Sequence, residues 1–164
     1  MAERRVFVPP ECVSSKQKIV FLAGPIQGAP DWQSEAIKVL TTLNPDITIA
    51  SPRRETFEGV SYDQQVDWET DHLRTAGKNG IIMFWLAKEV EQIPGRSYAQ
   101  TSRAELFEWK MRHERDGAKL VIGIEEGFSG SKYIKKRFSQ ESPDVPILSS
   151  LEETYKTVLE MLES

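Results

Sequence analysis

The apolar run from Ile81 to Leu86 constrains the fold of this chain more than any other stretch. Its sequence, Ile-Ile-Met-Phe-Trp-Leu, offers no polar side chain to water on either side. A strand of this kind has to be covered on both faces, which is typical of the centre of a parallel sheet between two helical layers. The run therefore predicts the central strand of an α/β domain.

Shorter apolar runs alternate with helical patterns along the rest of the chain. They predict further strands at 18–22, 47–50, 120–124 and 145–148, and helices near 31–43, 62–76, 103–115, 131–138 and 151–162. This alternation indicates right-handed βαβ units and a flavodoxin-like or Rossmann-like three-layer sandwich with a five-stranded, mainly parallel sheet. Residues 18–164 would form one domain, after an N-terminal arm, residues 1–17, that could add an edge strand.

Composition excludes several classes of function. A formal net charge of −4 over 164 residues argues against a nucleic-acid partner, since phosphate binding needs a clustered basic face. The lone Cys12 excludes an internal disulfide and a cysteine-based zinc site, and neither histidine has a ligand at metal-binding spacing. Glycine-rich motifs for NAD or ATP are missing. With no signal peptide or apolar run of membrane-spanning length, we expect a cytoplasmic protein with no membrane partner.

Ser102 and Glu105 have the spacing of a capping box at the start of the helix that follows the central strand. Glu105 also shares a helical stripe with Glu108 and Arg112, which favours a structural role. The alternative is functional, because ligands bind beyond the carboxyl ends of strands in open α/β sheets. A helix dipole would hold Glu105 ionised there, and a fixed carboxylate could act as a nucleophile.

Three features would converge on one edge of such a sheet: the turn at Gly24-Pro25-Ile26, the loop with Arg53 and Arg54, and the helix start at Glu105. The acidic helix 62–76 could add a second carboxylate. Two carboxylates roughly 5 Å apart are what a retaining glycosyl transfer requires. The simpler interpretation, favoured by periodicity alone, is that the arginines and the acidic helix face are solvated.

Five short motifs follow one another over residues 18–130. They are Ile19 to Ile26, Ser51 to Arg54, Gln65 to Glu69 followed by Leu73, Phe84 to Leu86, and Ala104 to Leu106 before a further apolar strand. Their order and spacing resemble the nucleoside 2-deoxyribosyltransferase family, and most closely its deoxyribosyltransferase-like branch.

The resemblance implies a flavodoxin-like fold and cleavage of the N-glycosidic bond of 2′-deoxynucleosides, with the sugar held on a glutamate before transfer to another nucleobase. Glu105 matches the family's nucleophile, which lies in a Glu-Leu pair at a helix start. Glu69 matches the acidic partner, with Asp71 and Asp67 as alternates. The resemblance requires no metal or cofactor.

The same resemblance suggests a set of residues that bind substrate. These are Phe21, Gly24, Pro25, Ile26, Arg53, Arg54, Asp67, Trp85, Ser102 and Ser131. Gly24 and Trp85 would shape the pocket for the base. Because Ser131 matches a residue that the family often borrows from a neighbouring subunit, we expect a homo-oligomer with active sites near subunit interfaces. Nucleosides and nucleobases would be its small-molecule partners.

The chain departs from the family's pattern in three places. Phe21 stands where a tyrosine often orients the nucleophile, Phe107 replaces a frequent glycine after the Glu-Leu pair, and the polar loop before Glu105 is long. Two other functions therefore stay open. One is an N-glycosidase that uses water as acceptor, in which Arg53 and Arg54 would bind a 5′-phosphate. The other is a non-catalytic nucleotide-binding module.

Overall fold

A computed structural model of the protein describes residues 5–56 and 58–164. The described residues form one sheet of six parallel strands in the order β1-β3-β2-β4-β5-β6. The strands are Val6–Phe7 (β1), Val20–Ala23 (β2), Ile49–Ala50 (β3), Ile81–Leu86 (β4), Leu120–Ile124 (β5) and Ile147–Leu148 (β6). The predicted number of five was wrong, because β1 in the N-terminal arm pairs with β3 and adds an edge strand.

Five helices cover the two faces of the sheet. They are Trp32–Leu43 (α1), Tyr62–Asn79 (α2), Gln100–Asp116 (α3), Ser131–Glu141 (α4) and Leu151–Glu163 (α5). Buried residues of α2, α3 and α4 share one hydrophobic core, and those of α1 and α5 share the other. The predicted three-layer, flavodoxin-like arrangement is confirmed. None of these helices, nor any other helix in the described ranges, combines the length and apolarity needed to cross a membrane.

The side chains of β4 alternate between the two cores. Ile82, Phe84 and Leu86 contact the layer of α2, α3 and α4, whereas Ile81, Met83 and Trp85 contact the layer of α1 and α5. Every residue of β4 is buried. The prediction of a central strand covered on both faces is therefore confirmed, and the strand order reverses between β2 and β4, where ligands bind in this class of sheet.

The predicted boundaries of α2 and α3 were wrong in ways that matter for the site. Helix α3 begins at Gln100 after Ala99, and no side chain caps it, so Ser102 and Glu105 do not form a capping box. Helix α2 does start with a capping box, made by Ser61 and Gln64, but it continues through Gly77 to Asn79. Gly77, which follows the predicted end of this helix at residue 76, therefore lies inside α2, and its missing side chain leaves room for the Trp109 ring.

The N-terminal arm is tied to α2 by three hydrogen bonds. The Val13 amide donates to His72 Nε2 at 3.0 Å, and Trp68 Nε1 donates to the Glu11 carbonyl at 2.6 Å. The Asn79 side chain donates to the Ser15 carbonyl at 2.8 Å. Since Trp68 and His72 are buried, the arm is attached to the side of α2 that packs into the core, and it helps to hold the helix in place against the sheet.

Candidate active site

A cavity of about 390 Å³ opens at the carboxyl ends of the central strands. Its walls come from the turn after β2, the loop after β3, the first half of α2, and the segment that leads from β4 into α3. The three features expected to converge, namely Gly24-Pro25-Ile26, Arg53-Arg54 and Glu105, all line this cavity. Parallel strands bring them together because their carboxyl ends lie at one edge of the sheet.

The turn after β2 forms the floor of the cavity. Gly24 has a φ of +153°, and a side chain there would collide with the backbone carbonyl of Trp85 and the ring of Trp32. Only glycine lets the end of β2 pass so close to the end of β4. The Pro25 carbonyl then accepts hydrogen bonds from Trp32 Nε1 at 3.0 Å and Gln33 Nε2 at 3.4 Å, which hold the turn against α1.

The two arginines of the β3 loop are held by the protein rather than solvated. Arg53 donates to the Ile26 carbonyl at 2.9 Å and forms an ion pair with Asp31 at 3.6 Å. Arg54 Nε donates to Gln65 Oε1 at 2.8 Å, while Gln65 Nε2 donates to the Pro52 carbonyl at 3.0 Å. These contacts connect the β3 loop to the β2 turn on one side and to α2 on the other.

Glu69 is the acidic residue that α2 presents to the cavity. Burial raises the pKa of its carboxyl to about 7, although the Gln65 side chain and the positive charge of Arg54 oppose the shift. The other two candidates, Asp67 and Asp71, are exposed and do not line the cavity. Each lies two residues from Glu69, which places it on the other side of a helix with 3.6 residues per turn.

Glu105 projects from the second turn of α3 into the same cavity. Burial, together with the nearby charges of Glu69 and Glu108, raises the pKa of its carboxyl to about 8. The expectation that a helix dipole holds Glu105 ionised was wrong. The residue lies beyond the first turn, where the dipole is strongest, and desolvation favours the protonated form.

The two glutamates form a coupled pair at the centre of the site. Each carboxyl is desolvated, and the charge of Glu69 raises the pKa of Glu105, so ionisation of one glutamate disfavours ionisation of the other. One protonated and one ionised carboxyl group is the arrangement needed for general acid and nucleophile roles. Within the described residues, no cluster of three or more His, Cys, Asp or Glu could hold a metal ion.

The segment between β4 and α3 closes one side of the cavity. The Tyr98 hydroxyl donates to the Ala87 carbonyl at 2.6 Å, which joins the two ends of this long loop. Arg103 donates to the Tyr98 carbonyl at 3.1 Å and to the Ser129 carbonyl at 2.8 Å, so it fastens the loop to the next one. Ala99, with a φ of +57°, is in the left-handed region that is costly for a residue with a side chain. Backbone strain of this kind is concentrated at functional sites.

The family model described as "Nucleoside 2-deoxyribosyltransferase like" matches residues 17–128. The matched region contains every cavity wall and both glutamates. The chain belongs to this deoxyribosyltransferase-like family. No curated protein matches the chain significantly.

Three other residues that were predicted to bind substrate lie outside the cavity. The Trp85 side chain packs in the core of α1 and α5, on the face of the sheet opposite Glu105, so it does not shape the cavity. Phe21 is buried beneath the site, with its ring 6.1 Å from the ring of Trp68. Ser131 starts α4 away from the cavity of its own chain. Its delivery to a neighbouring subunit stays a prediction.

Several residues that line the cavity were not predicted from the sequence. They are Gln27, Pro52, Val60, Tyr62, Gln65, Val66, Arg96, Ala99 and Thr101. Helical spacing offered one signal, because Gln65 and Val66 lie four and three residues before Glu69 and so share its side of α2. Arg96 lies in the loop that the sequence marks as long and polar, but nothing in its local pattern singles it out.

Proposed function

We propose that the protein is a nucleoside 2-deoxyribosyltransferase that forms a covalent deoxyribosyl ester on Glu105. The observation that carries the proposal is the pair of partly buried carboxyl groups, Glu69 and Glu105, which share one cavity and have pKa values raised to about 7 and about 8. Membership of the deoxyribosyltransferase-like family supports the same chemistry.

The first half-reaction breaks the bond between C1′ and the base nitrogen. A carboxylate oxygen of Glu105 attacks C1′ from the face opposite the base, and the base leaves with the bonding electron pair. Glu69 gives its proton to the departing base. The positive charge that develops on the sugar is stabilised by the negative charge on Glu105.

The second half-reaction reverses these roles. A nitrogen of the acceptor base attacks C1′ and breaks the ester bond to Glu105, while Glu69 takes up the proton that the acceptor loses. Two inversions at C1′ give overall retention. Neither half-reaction requires a metal, because the two carboxyl groups supply both the proton and the compensating negative charge.

For the reaction to start, Glu69 has to be protonated and Glu105 ionised when the substrate binds. In the free protein Arg54 and Gln65 stabilise the ionised form of Glu69, whereas the charges of Glu69 and Glu108 favour the protonated form of Glu105. A bound base that presents an acceptor atom to Glu69 favours its protonated form. Glu105 then gives up its proton and becomes the nucleophile, so that the reactive charge state arises only with substrate in place.

The cavity has the size and lining expected for a nucleoside. Its volume lies within the range of roughly 300 to 1,000 Å³ that is usual for small-molecule sites. Ile26, Val60 and Val66 provide apolar surface for a base, next to the aromatic ring of Tyr62. Tyr62 is 81% exposed, so the rim also admits water. Hydrolysis of the same intermediate is therefore the second candidate function.

Intact-protein mass spectrometry tests the proposal directly. The native protein, incubated briefly with a panel of 2′-deoxynucleosides and no acceptor, is expected to gain the mass of one deoxyribosyl group. Glu105→Gln should gain none, whereas Glu160→Gln, the same change at an exposed position of α5 that does not line the cavity, should behave as the native protein. Peptide mapping should place the adduct on Glu105.

Each other result has a definite meaning. An adduct on Glu69 would reverse the two roles. Rapid base release without transfer to a second base would select the hydrolase. Neither adduct nor free base from any substrate in the panel would refute both activities and leave a non-catalytic binding module.

A further inference from the structure

A second, smaller cavity of about 130 Å³ adjoins the first at the glutamate pair. Glu69 and Glu105 line both cavities, and the second one extends between α2 and α3 as far as Trp109. Thr70 and Leu73 of α2 form part of its wall. Because the first cavity is large enough for a nucleoside on its own, the second is available for another role.

Trp109 brings an unpaired hydrogen-bond donor to the second cavity. The residue is only 3% exposed, and its ring nitrogen Nε1 is buried without a hydrogen-bond partner in residues 5–56 and 58–164. Trp32 and Trp68 each donate the same group to a backbone carbonyl. A buried N–H group normally has a partner, so an unpaired one indicates a contact that the free protein does not make.

The packing of the Trp109 ring keeps Nε1 near α3. A side chain at Gly77 would collide with the benzene end of the ring, so this end is the part that lies against α2. Nε1 belongs to the other, pyrrole end, which stays close to α3 one turn beyond Glu105. Arg112 lies over the ring, with its guanidinium carbon 5.0 Å from the ring centre, and helps to hold it in place.

Glu105 is the acceptor best placed for this donor. It lies four residues before Trp109, and side chains at this spacing are neighbours on one face of a helix, with Cβ atoms about 5 to 6 Å apart. Within the described ranges of the chain, the Glu105 carboxyl accepts no hydrogen bond. An unpaired donor and an unpaired acceptor on neighbouring turns can therefore meet through a change of side-chain rotamer.

We propose that Trp109 is a positioning residue for the nucleophile: its indole N–H donates to one carboxylate oxygen of Glu105 and leaves the other oxygen free to attack C1′. This inference rests on the proposed function, which makes Glu105 the nucleophile. The bond gains strength when Glu105 ionises, because a hydrogen bond to a charged acceptor is roughly twice as strong as a neutral one. Trp109 therefore supports the charged form of Glu105 and fixes the orientation of its attacking oxygen.

Single-turnover kinetics test this role. Replacing Trp109 with benzothienylalanine keeps the shape of the ring but puts sulfur in place of the N–H group, and Trp109→Phe removes the same donor with a smaller ring. In both proteins we expect the rate of base release to fall roughly tenfold, which corresponds to about 1.4 kcal/mol in the barrier. The dissociation constant of the deoxynucleoside should stay at its native value. Because benzothienylalanine preserves the packing against Gly77, its effect reports the lost donor rather than a lost fold.

The indole N–H signal of Trp109 measures the hydrogen bond without turnover. In NMR spectra of protein with isotopically labelled tryptophan, this signal is the one that is missing in Trp109→Phe. We expect it to move downfield as the pH rises and Glu105 ionises, and to show no such movement in Glu105→Gln. The other charged groups that line the second cavity, Glu69, Glu108 and Arg74, remain in that variant and so are controlled for.

The two measurements separate this inference from the proposed function. A signal that follows the ionisation of Glu105 supports the hydrogen bond, even if the native protein forms no ester and the glycosyl transfer is refuted. Base release at the native rate in the benzothienylalanine protein would overturn the role of Trp109 and leave the glycosyl transfer intact. The same downfield movement in Glu105→Gln as in the native protein would also overturn it.

Discussion

Replacing Glu105 with glutamine is expected to stabilise the protein, and to do so more strongly as the pH rises. The native state raises the pKa of this carboxyl from 4.5 to about 8, so the folded protein keeps a proton that the unfolded chain has released. Stability then falls as the pH rises from about 4.5 to about 8, because the unfolded state binds fewer protons over that range. Glutamine resembles the protonated acid and does not ionise, so it removes this loss.

The size of the effect follows from the pKa shift. A change from 4.5 to about 8 corresponds to at most about 5 kcal/mol. Because the side chain keeps some contact with water, we expect about 2 to 3 kcal/mol at pH 9 and well under 1 kcal/mol at pH 5.

Urea unfolding of native protein and Glu105→Gln at pH 5, 7 and 9 measures this difference. Glu160→Gln serves as the matched control, since Glu160 is an exposed carboxylate on α5 and does not line the cavity. A stability gap between Glu105→Gln and native protein that does not change from pH 5 to pH 9 would refute the reasoning. A gap of the expected sign would show that the site is maintained at the expense of fold stability.

Three further predictions concern the residues that shape the site. In an ordinary helix, a change from glycine to alanine stabilises by up to about 1 kcal/mol. Gly77→Ala should instead lower the free energy of unfolding by about 1 to 3 kcal/mol, because the new methyl group meets the Trp109 ring. A rise in the midpoint of urea unfolding would contradict the close packing. Tyr98→Phe removes the hydrogen bond to the Ala87 carbonyl and should speed protease cleavage in residues 88–97, and an unchanged rate would show that other contacts close the loop. Burial lowers the pKa of His72, whose neutral ring accepts a hydrogen bond from the arm. The native protein should therefore lose stability as the pH falls below 6.5, the ordinary pKa of the ring, and this part of the loss should be missing in His72→Gln.

Two opposed effects act on the pKa of Glu105, and they explain why the argument from sequence predicted a lowered pKa where the structure raises it. Sequence position suggests a helix start, and a helix start favours a negative charge. The structure places Glu105 one turn further into α3 and partly buries it next to a second carboxyl group. Desolvation and like-charge repulsion then outweigh the dipole, whose effect falls off within the first turn.

The sequence by itself determined the layers of this protein, because each depends on a local pattern. A strand with no polar residue, Ile81–Leu86, has to be buried on both faces, and alternating strands and helices build a parallel sheet whose loops meet at one edge. Glycine and proline at 24 and 25 mark the turn that lines the cavity. The motifs around these elements were also enough to indicate the family that was found.

Only the tertiary structure decided which side chains face one another. Helical period separates Glu69 from Asp67 and Asp71, but packing of α2 against the sheet and the arm determines that Glu69 faces the cavity. Alternation along β4 likewise sends Phe84 and Trp85 to opposite cores, and only the placement of the helices shows that Trp85 lies away from Glu105. Long-range packing sets the direction in which these side chains face. It also sets the raised pKa values and leaves the amino end of α3 without a side-chain cap. A local sequence pattern does not encode this packing.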